Sequence, residues 1–122
     1  MVGDNGVAFS MPGGEACQPA SGRPVDMAHL SRQTMGDREL EQEVLALFLQ
    51  QALSVSARMR KADVGERLMM AHSLKGSARG VGAFAIADCA AAIENDPQDA
   101  LAWKRLDGLV EAVRDFVAAI GR

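Results

Sequence analysis

The sequence is poor in aromatic residues, with no tyrosine, one tryptophan and four phenylalanines among 122 residues. Alanine, leucine and methionine must therefore supply most of the core, and these residues favour helices. No apolar run reaches the roughly eighteen residues that a membrane-spanning helix needs. The start of the chain also lacks the basic and apolar segments of a signal peptide. We therefore expect a soluble, cytoplasmic protein.

Positive charge, cysteine and histidine are scarce as well. The formal net charge of −3 argues against nucleic acid or an anionic membrane as the main partner. Cys17 and Cys89 lie far apart in the sequence, as do the two histidines, so a zinc site is not expected. Two free thiols in a reducing compartment are the simpler account of the cysteines. We expect no metal ion and no cofactor bound by the chain itself.

Glycine, proline and serine are concentrated at the start of the chain. Residues that break helices and strands occur at 12–14 (Pro-Gly-Gly) and at 21–24 (Ser-Gly-Arg-Pro). The apolar residues between them show no periodic spacing. Such a segment buries too little apolar surface to offset the entropy of ordering it. Residues 1–24 are predicted to form a mobile tail, and residues 25–122 a single folded domain.

Apolar residues at helical spacing follow along the rest of the chain. The predicted helices cover, in chain order, about 27–35, 38–61, 64–80, 83–95 and 99–120. Asp26, Asp37 and Asp63 are predicted N-caps, because aspartate accepts hydrogen bonds from the first free N–H groups of a helix. The connections are short and no strand-like alternation competes. The fold class is predicted to be all-α, an antiparallel up-and-down four-helix bundle with a short extra N-terminal helix.

The apolar stripes also predict which side chains are buried. The stripe of the second helix contains Leu40, Val44, Leu47, Phe48, Val55 and Met59. Leu45, Leu49 and Leu53 widen its apolar surface, so this helix is expected to pack on more than one neighbour. The inner face of the third helix contains Val64, Leu68, Ala71, Leu74 and Ala78.

Residues 71–83 form the most informative stretch of the chain, Ala-His-Ser-Leu-Lys-Gly-Ser-Ala-Arg-Gly-Val-Gly-Ala. On a helix, His72, Lys75, Gly76 and Arg79 share one face that spans about 100°. A neutral imidazole offers a nucleophilic nitrogen, and the P–N bond that it forms is labile. The ammonium of Lys75 has the charge to pair with phosphoryl oxygens. This face has the residues needed to accept a phosphoryl group from a protein donor.

Gly76 strengthens that interpretation. A glycine inside a helix costs roughly 1 kcal/mol relative to alanine, and Gly76 points away from the apolar stripe. Its missing side chain would let a bulky donor approach the imidazole. Met69, Ser73, Arg79 and Gly80 are the candidate partner contacts around it. Taken singly, each of these residues also fits an ordinary solvated or packing role.

The run at 72–76, His-Ser-Leu-Lys-Gly, with Gly82 and Ala83 after it, resembles the His-x-Leu-Lys-Gly signature of histidine-containing phosphotransfer (HPt) domains. The resemblance covers about residues 24–120. It implies a four-helix bundle in which His72 accepts a phosphoryl group from a receiver-domain aspartate and passes it to another receiver domain. It further implies that Lys75 helps with the phosphoryl group and that Gly76 leaves room for the receiver.

The same resemblance implies a phosphocarrier without kinase activity of its own. Its partners would be response-regulator receiver domains and a hybrid histidine kinase, with Mg²⁺ held by the receiver. We expect a monomer. Some HPt domains place a glutamine or arginine of the fourth helix near the active histidine, where this chain has Glu94 and Gln98. That role is carried over to neither residue.

Two alternatives stay open. One is a helical interaction module that binds receiver domains without phosphotransfer. The other is the dimerisation and phosphoacceptor fragment of a histidine kinase, which fits badly because Ser73 follows the histidine and no Thr-Pro pair comes after it. A phosphate-cradling glycine loop and an ATP lid are both missing from the sequence, which argues against nucleotide binding.

Overall fold

The computed structural model describes residues 23–121, and five α-helices account for most of that range. They are α1 (Met27–Gln33), α2 (Arg38–Arg58), α3 (Val64–Val81), α4 (Phe84–Asn95) and α5 (Ala100–Ile120). Residues 23–121 contain no strand, which confirms the all-α prediction. None of these helices is both long and apolar enough to cross a membrane. The predicted tail lies outside the described residues, apart from positions 23 and 24.

The helices pack around one core. α2 and α4 each pack against both α3 and α5, and the short α1 lies across α3 and α2. Large side chains that are almost completely buried come from every helix, namely Leu30, Leu45, Leu74, Ile86, Ile93, Leu106, Val110 and Val113. This packing holds α3 and α4 side by side, which is the contact that builds the site described below.

Side-chain caps mark where α1, α2 and α3 begin. The side chains of Asp26, Asp37 and Asp63 each accept a hydrogen bond from the backbone N–H three residues on, which confirms the three predicted N-caps. At the start of α3 the Glu66 side chain also bonds back to the N–H of Asp63, completing a capping box. From this start, helical spacing fixes the positions of the later α3 residues relative to one another.

Two predicted helix ends are wrong by a few residues. α1 ends at Gln33 rather than 35, because Met35 and Gly36 adopt φ values of 53° and 77° and form a turn. α2 ends at Arg58 rather than 61, and the three residues after it form the turn into α3. At the end of α1, turn geometry and not apolar spacing decides where the helix stops.

Gly82 ends α3 and ties it to α1. Its φ of 91° lies in the left-handed region, and a Cβ there would come within 2.9 Å of the carbonyl oxygen of Asp26. The N–H of Asp26 donates to the carbonyl of Gly82 at 2.9 Å. Both the backbone conformation and this close approach require glycine.

The predicted core of α2 and α3 is partly wrong. Leu47 is 67% exposed, and Leu40, Val64 and Leu68 are about 40% exposed, at 40%, 41% and 38%. Leu45 and Ala52 are fully buried in their place on α2. α2 carries more leucine and valine than one face can bury, so its spacing alone does not select the inner residues.

A buried arginine joins three segments at one end of the bundle. The Arg67 guanidinium lies 4.0 Å from the ring centroid of Trp103 and donates hydrogen bonds to the carbonyls of Met59, Arg60 and Pro97. The Trp103 Nε1–H donates to the same Pro97 carbonyl at 3.1 Å. These contacts link the end of α2 and the α4–α5 connection to α3, in the part of α3 that leads to His72.

Candidate functional site

His72 lies on the outward face of α3, with 75% of its side chain exposed. Its Nδ1 atom lies 3.0 Å from Oε2 of Glu94 on α4. An ionised carboxylate only accepts hydrogen bonds, so Nδ1 must carry the hydrogen in this contact. In the neutral ring, Nε2 then has no hydrogen and keeps a free lone pair, which makes it the nucleophilic atom.

Glu94 divides its two oxygens between two partners. Oε2 accepts from His72, while Oε1 lies 2.5 Å from Nζ of Lys75. By its distance, the lysine contact is an ion pair. The pKa of Glu94 is held below the ordinary value of 4.5, first by the contact with Lys75 and then by the hydrogen bond with His72. Glu94 is therefore an ionised acceptor at neutral pH.

Lys75 lies on the α4 side of His72. Its side chain is 22% exposed, far less than that of His72, and its ammonium pairs with Glu94. The sequence predicted an ammonium available to a phosphoryl group. In the structure the charge instead contacts the carboxylate that holds Nδ1.

On the side of His72 that faces α2, the surface of α3 is formed by glycines, and we call this surface the bare strip. Gly76 and Gly80 follow His72 by one and two turns, and a Cβ at either glycine would meet no described atom within 4 Å. Packing within this part of the chain therefore does not require glycine at these positions. Ser73 lies on the same side, and its Oγ accepts a hydrogen bond from Nε2 of Gln51 on α2 at 3.1 Å. The backbone of α3 is left uncovered beside the imidazole.

Two exposed apolar side chains lie near this bare strip. Met69, one turn before His72, is 75% exposed. Leu47 is 67% exposed and lies one turn before Gln51, the α2 residue that donates a hydrogen bond to Ser73 of α3. Arg79 is exposed two turns after His72. The structure thus brings the predicted partner contacts Met69, Ser73, Gly80 and Arg79 onto one surface with His72.

His29, to which the sequence assigned no role, makes a contact between helices. Its Nε2 lies 3.2 Å from the carbonyl oxygen of Gly80, and its ring meets Phe84 edge-on with centroids 5.2 Å apart. The ring is half-buried and joins α1 to the end of α3. Its surroundings differ from those of His72, which has a carboxylate on one nitrogen.

Sequence reasoning missed three residues of this surface: Glu94, Gln51 and Leu47. Each acts through a contact or an exposure that depends on how α2 and α4 pack against α3. The one available signal was a polar residue of the fourth helix in the neighbourhood of His72, which suited Glu94 and Gln98 equally. The structure places Gln98 beyond the end of α4, in the connection to α5.

The structure also locates the residues that could bind a metal ion or act as a thiol nucleophile. Within residues 23–121, no three histidine, cysteine, aspartate or glutamate side chains are grouped to hold a metal ion. Cys89 is buried, and burial raises the pKa of its thiol. A buried thiol of this kind is a poor nucleophile. Cys17 lies outside the described residues.

Comparison with known proteins agrees with the motif at 72–76. The family model described as the Hpt domain matches residues 38–120, which is most of the chain. Neither the curated proteins nor the solved structures gave a match. Hpt domains are helical phosphocarriers that act in two-component phosphorelays and interact with receiver domains. An exposed histidine with one nitrogen held by a carboxylate suits that role, and the chain belongs to the Hpt domain family of histidine phosphotransfer proteins.

Proposed function

We propose that His72 accepts a phosphoryl group on Nε2 from the aspartate of one receiver domain and passes it to the aspartate of another. The observation that carries this proposal is the contact between Nδ1 of His72 and Glu94, since it leaves the lone pair on the exposed nitrogen. The other histidine, His29, has its Nε2 against the carbonyl of Gly80.

Each transfer is a displacement at phosphorus. The Nε2 lone pair attacks, the P–O bond to the donor aspartate breaks, and its electron pair returns to that carboxylate. The ring becomes positively charged while Nδ1 keeps its hydrogen, so the negative charge of Glu94 stabilises the phosphorylated state. In the onward step an aspartate oxygen attacks phosphorus, and the electrons of the P–N bond return to Nε2. No proton has to leave the site in either direction.

The receiver is proposed to dock on the bare strip of α3. Gly76 and Gly80 let its backbone approach closely, while Leu47 and Met69 offer apolar contacts beside them. Flexible and exposed apolar side chains suit a surface that must fit more than one receiver. Arg79 would meet an acidic group of the partner.

The remaining chemistry is assigned to the partners. We propose that the receiver supplies Mg²⁺ and the acidic pocket, so that this chain needs no cofactor of its own. A hybrid histidine kinase would be the upstream source of the phosphoryl group. The protein would act as a cytoplasmic monomer.

The test is label transfer from a phosphorylated receiver domain to the full chain. We expect the wild-type protein and a His29→Gln variant to take up acid-labile, base-stable phosphate, and a His72→Gln variant to take up none. Labelled His72→Gln would overturn the assignment of the acceptor. Receiver binding by wild type without any label would favour the interaction module instead.

A further inference from the structure

The ammonium of Lys75 is already paired with a carboxylate and does not point free for a phosphoryl ligand. Its ammonium contacts Oε1 of Glu94, whose other oxygen accepts from Nδ1 of His72. The two nitrogens of an imidazole point away from each other, and a phosphoryl group on Nε2 would lie on the opposite edge of the ring. The lysine thus contacts the group behind the reacting atom.

A carboxylate is planar, so fixing one oxygen also fixes the direction of the other. The side chains of Lys75 and Glu94 are 22% and 23% exposed, compared with 75% for His72. Oε1 is buried and has no hydrogen-bond partner among the described residues apart from this ion-pair contact. Without Lys75, the carboxylate would be free to turn towards water, or would take up a proton and become a weaker acceptor, and the hydrogen on Nδ1 would be held less firmly in either case.

We propose that Lys75 is a positioning residue that acts on phosphoryl transfer through Glu94: it fixes the carboxylate, and the carboxylate fixes the hydrogen on Nδ1. The proposal rests on the proposed function of His72. A direct contact between Lys75 and the phosphoryl group would require the ammonium to leave a buried oxygen that has no other partner. Most of the effect of Lys75 on transfer therefore depends on Glu94 being present.

A double-mutant cycle separates the two roles. The rates to compare are those of single-turnover transfer from a receiver domain charged with acetyl phosphate to wild type, Lys75→Met, Glu94→Gln and the double variant. Each single change should slow transfer by about tenfold or more, as removal of an orienting partner commonly does. The double variant should be no more than about threefold slower than Glu94→Gln alone. Effects that multiply would show that Lys75 acts on the phosphoryl group directly and would overturn the proposal.

The ring nitrogens of His72 give a second readout that needs no phosphorylation. ¹⁵N NMR of the full chain should show the hydrogen on Nδ1 in wild type and a lower population of that tautomer in Lys75→Met. Lys75→Arg should restore it, because a guanidinium also pairs with a carboxylate. Lys61→Met, at an exposed lysine in the turn after α2, is the matched control and should leave the shifts of His72 unchanged.

The readouts also separate failure of this proposal from failure of the proposed function. If Lys75→Met leaves the ring shifts of His72 unchanged, the positioning role is wrong even where wild type is labelled. If wild type is never labelled but the tautomer shifts as stated, the coupling of Lys75 to Glu94 stands and the phosphotransfer role of His72 fails. Circular dichroism of each variant shows whether a loss of transfer comes from unfolding.

Discussion

Gly76→Ala should make the protein more stable and a poorer phosphotransfer partner. Gly76 lies inside α3, and a Cβ there would meet no described atom within 4 Å. Alanine removes backbone freedom from the unfolded chain at no packing cost, which is worth about 0.5–1 kcal/mol in a helix. For a domain of about 100 residues, that gain corresponds to a rise in Tm of about 2–8 °C.

The methyl group that Gly76→Ala introduces should also slow phosphoryl transfer. It would project from α3 one turn beyond His72, on the surface where a receiver is proposed to approach the backbone. Because a displacement of about 1 Å at a reacting centre can cost about 100-fold in rate, we expect a loss of about 10- to 100-fold. A larger side chain, as in Gly76→Gln, should slow transfer further.

Gly108→Ala is the matched control. Gly108 also lies inside a helix, on α5, and a Cβ there would meet no described atom within 4 Å. Thermal melts should show a similar gain for both variants, whereas transfer from a phosphorylated receiver should fall only for Gly76→Ala. If Gly76→Ala is stabilised and still transfers at the wild-type rate, close approach to α3 is not the reason for glycine at this position.

Three further changes test separate parts of the structure. Because the pKa of Glu94 is lowered in the folded state, its contacts stabilise the fold above pH 4.5 and lose that effect as the pH falls through the folded pKa. Glu94→Gln should thus lower Tm at neutral pH, with the difference shrinking in acid; a difference independent of pH would contradict this. Arg67→Ala leaves the carbonyls of Met59 and Arg60 without their Arg67 donor, while that of Pro97 keeps Trp103, and should cost about 2–4 kcal/mol in urea unfolding. The exposed Arg58→Ala is the control; equal losses would refute this role. Leu47→Glu should weaken receiver binding in titration calorimetry without lowering Tm, whereas Leu101→Glu, at a leucine of α5 that is 76% exposed, should leave binding unchanged. Unchanged binding in both variants would place the docking surface elsewhere.

Local chemistry made much of the fold predictable. The N-caps Asp26, Asp37 and Asp63 follow from a side chain and the first turn after it, so the sequence located the starts of three helices correctly. The apolar stripe of α2 gave a partly wrong prediction of the buried residues, because leucines lie on most sides of that helix. Burial of Leu45 and exposure of Leu47 depend on which faces the neighbouring helices cover.

The site was predictable to the extent that it lies on one helix. The sequence placed His72, Lys75 and Gly76 on a common face of α3 because helical spacing fixes their relative positions. The partner of Lys75 was not predictable in this way, since Glu94 comes from another helix and meets α3 only after the bundle packs. That tertiary contact is the observation on which the proposed positioning role of Lys75 rests, and the phosphoryl contact stays a prediction.

In the proposed phosphotransfer, the phosphoryl group is carried on Nε2 of His72. ³¹P–¹⁵N NMR of the chain, labelled with ¹⁵N and phosphorylated by a receiver domain, tests it most directly. We expect one phosphorus signal coupled to Nε2 of His72, with the hydrogen still on Nδ1. Phosphorus coupled to Nδ1, or to a nitrogen of His29, would contradict it.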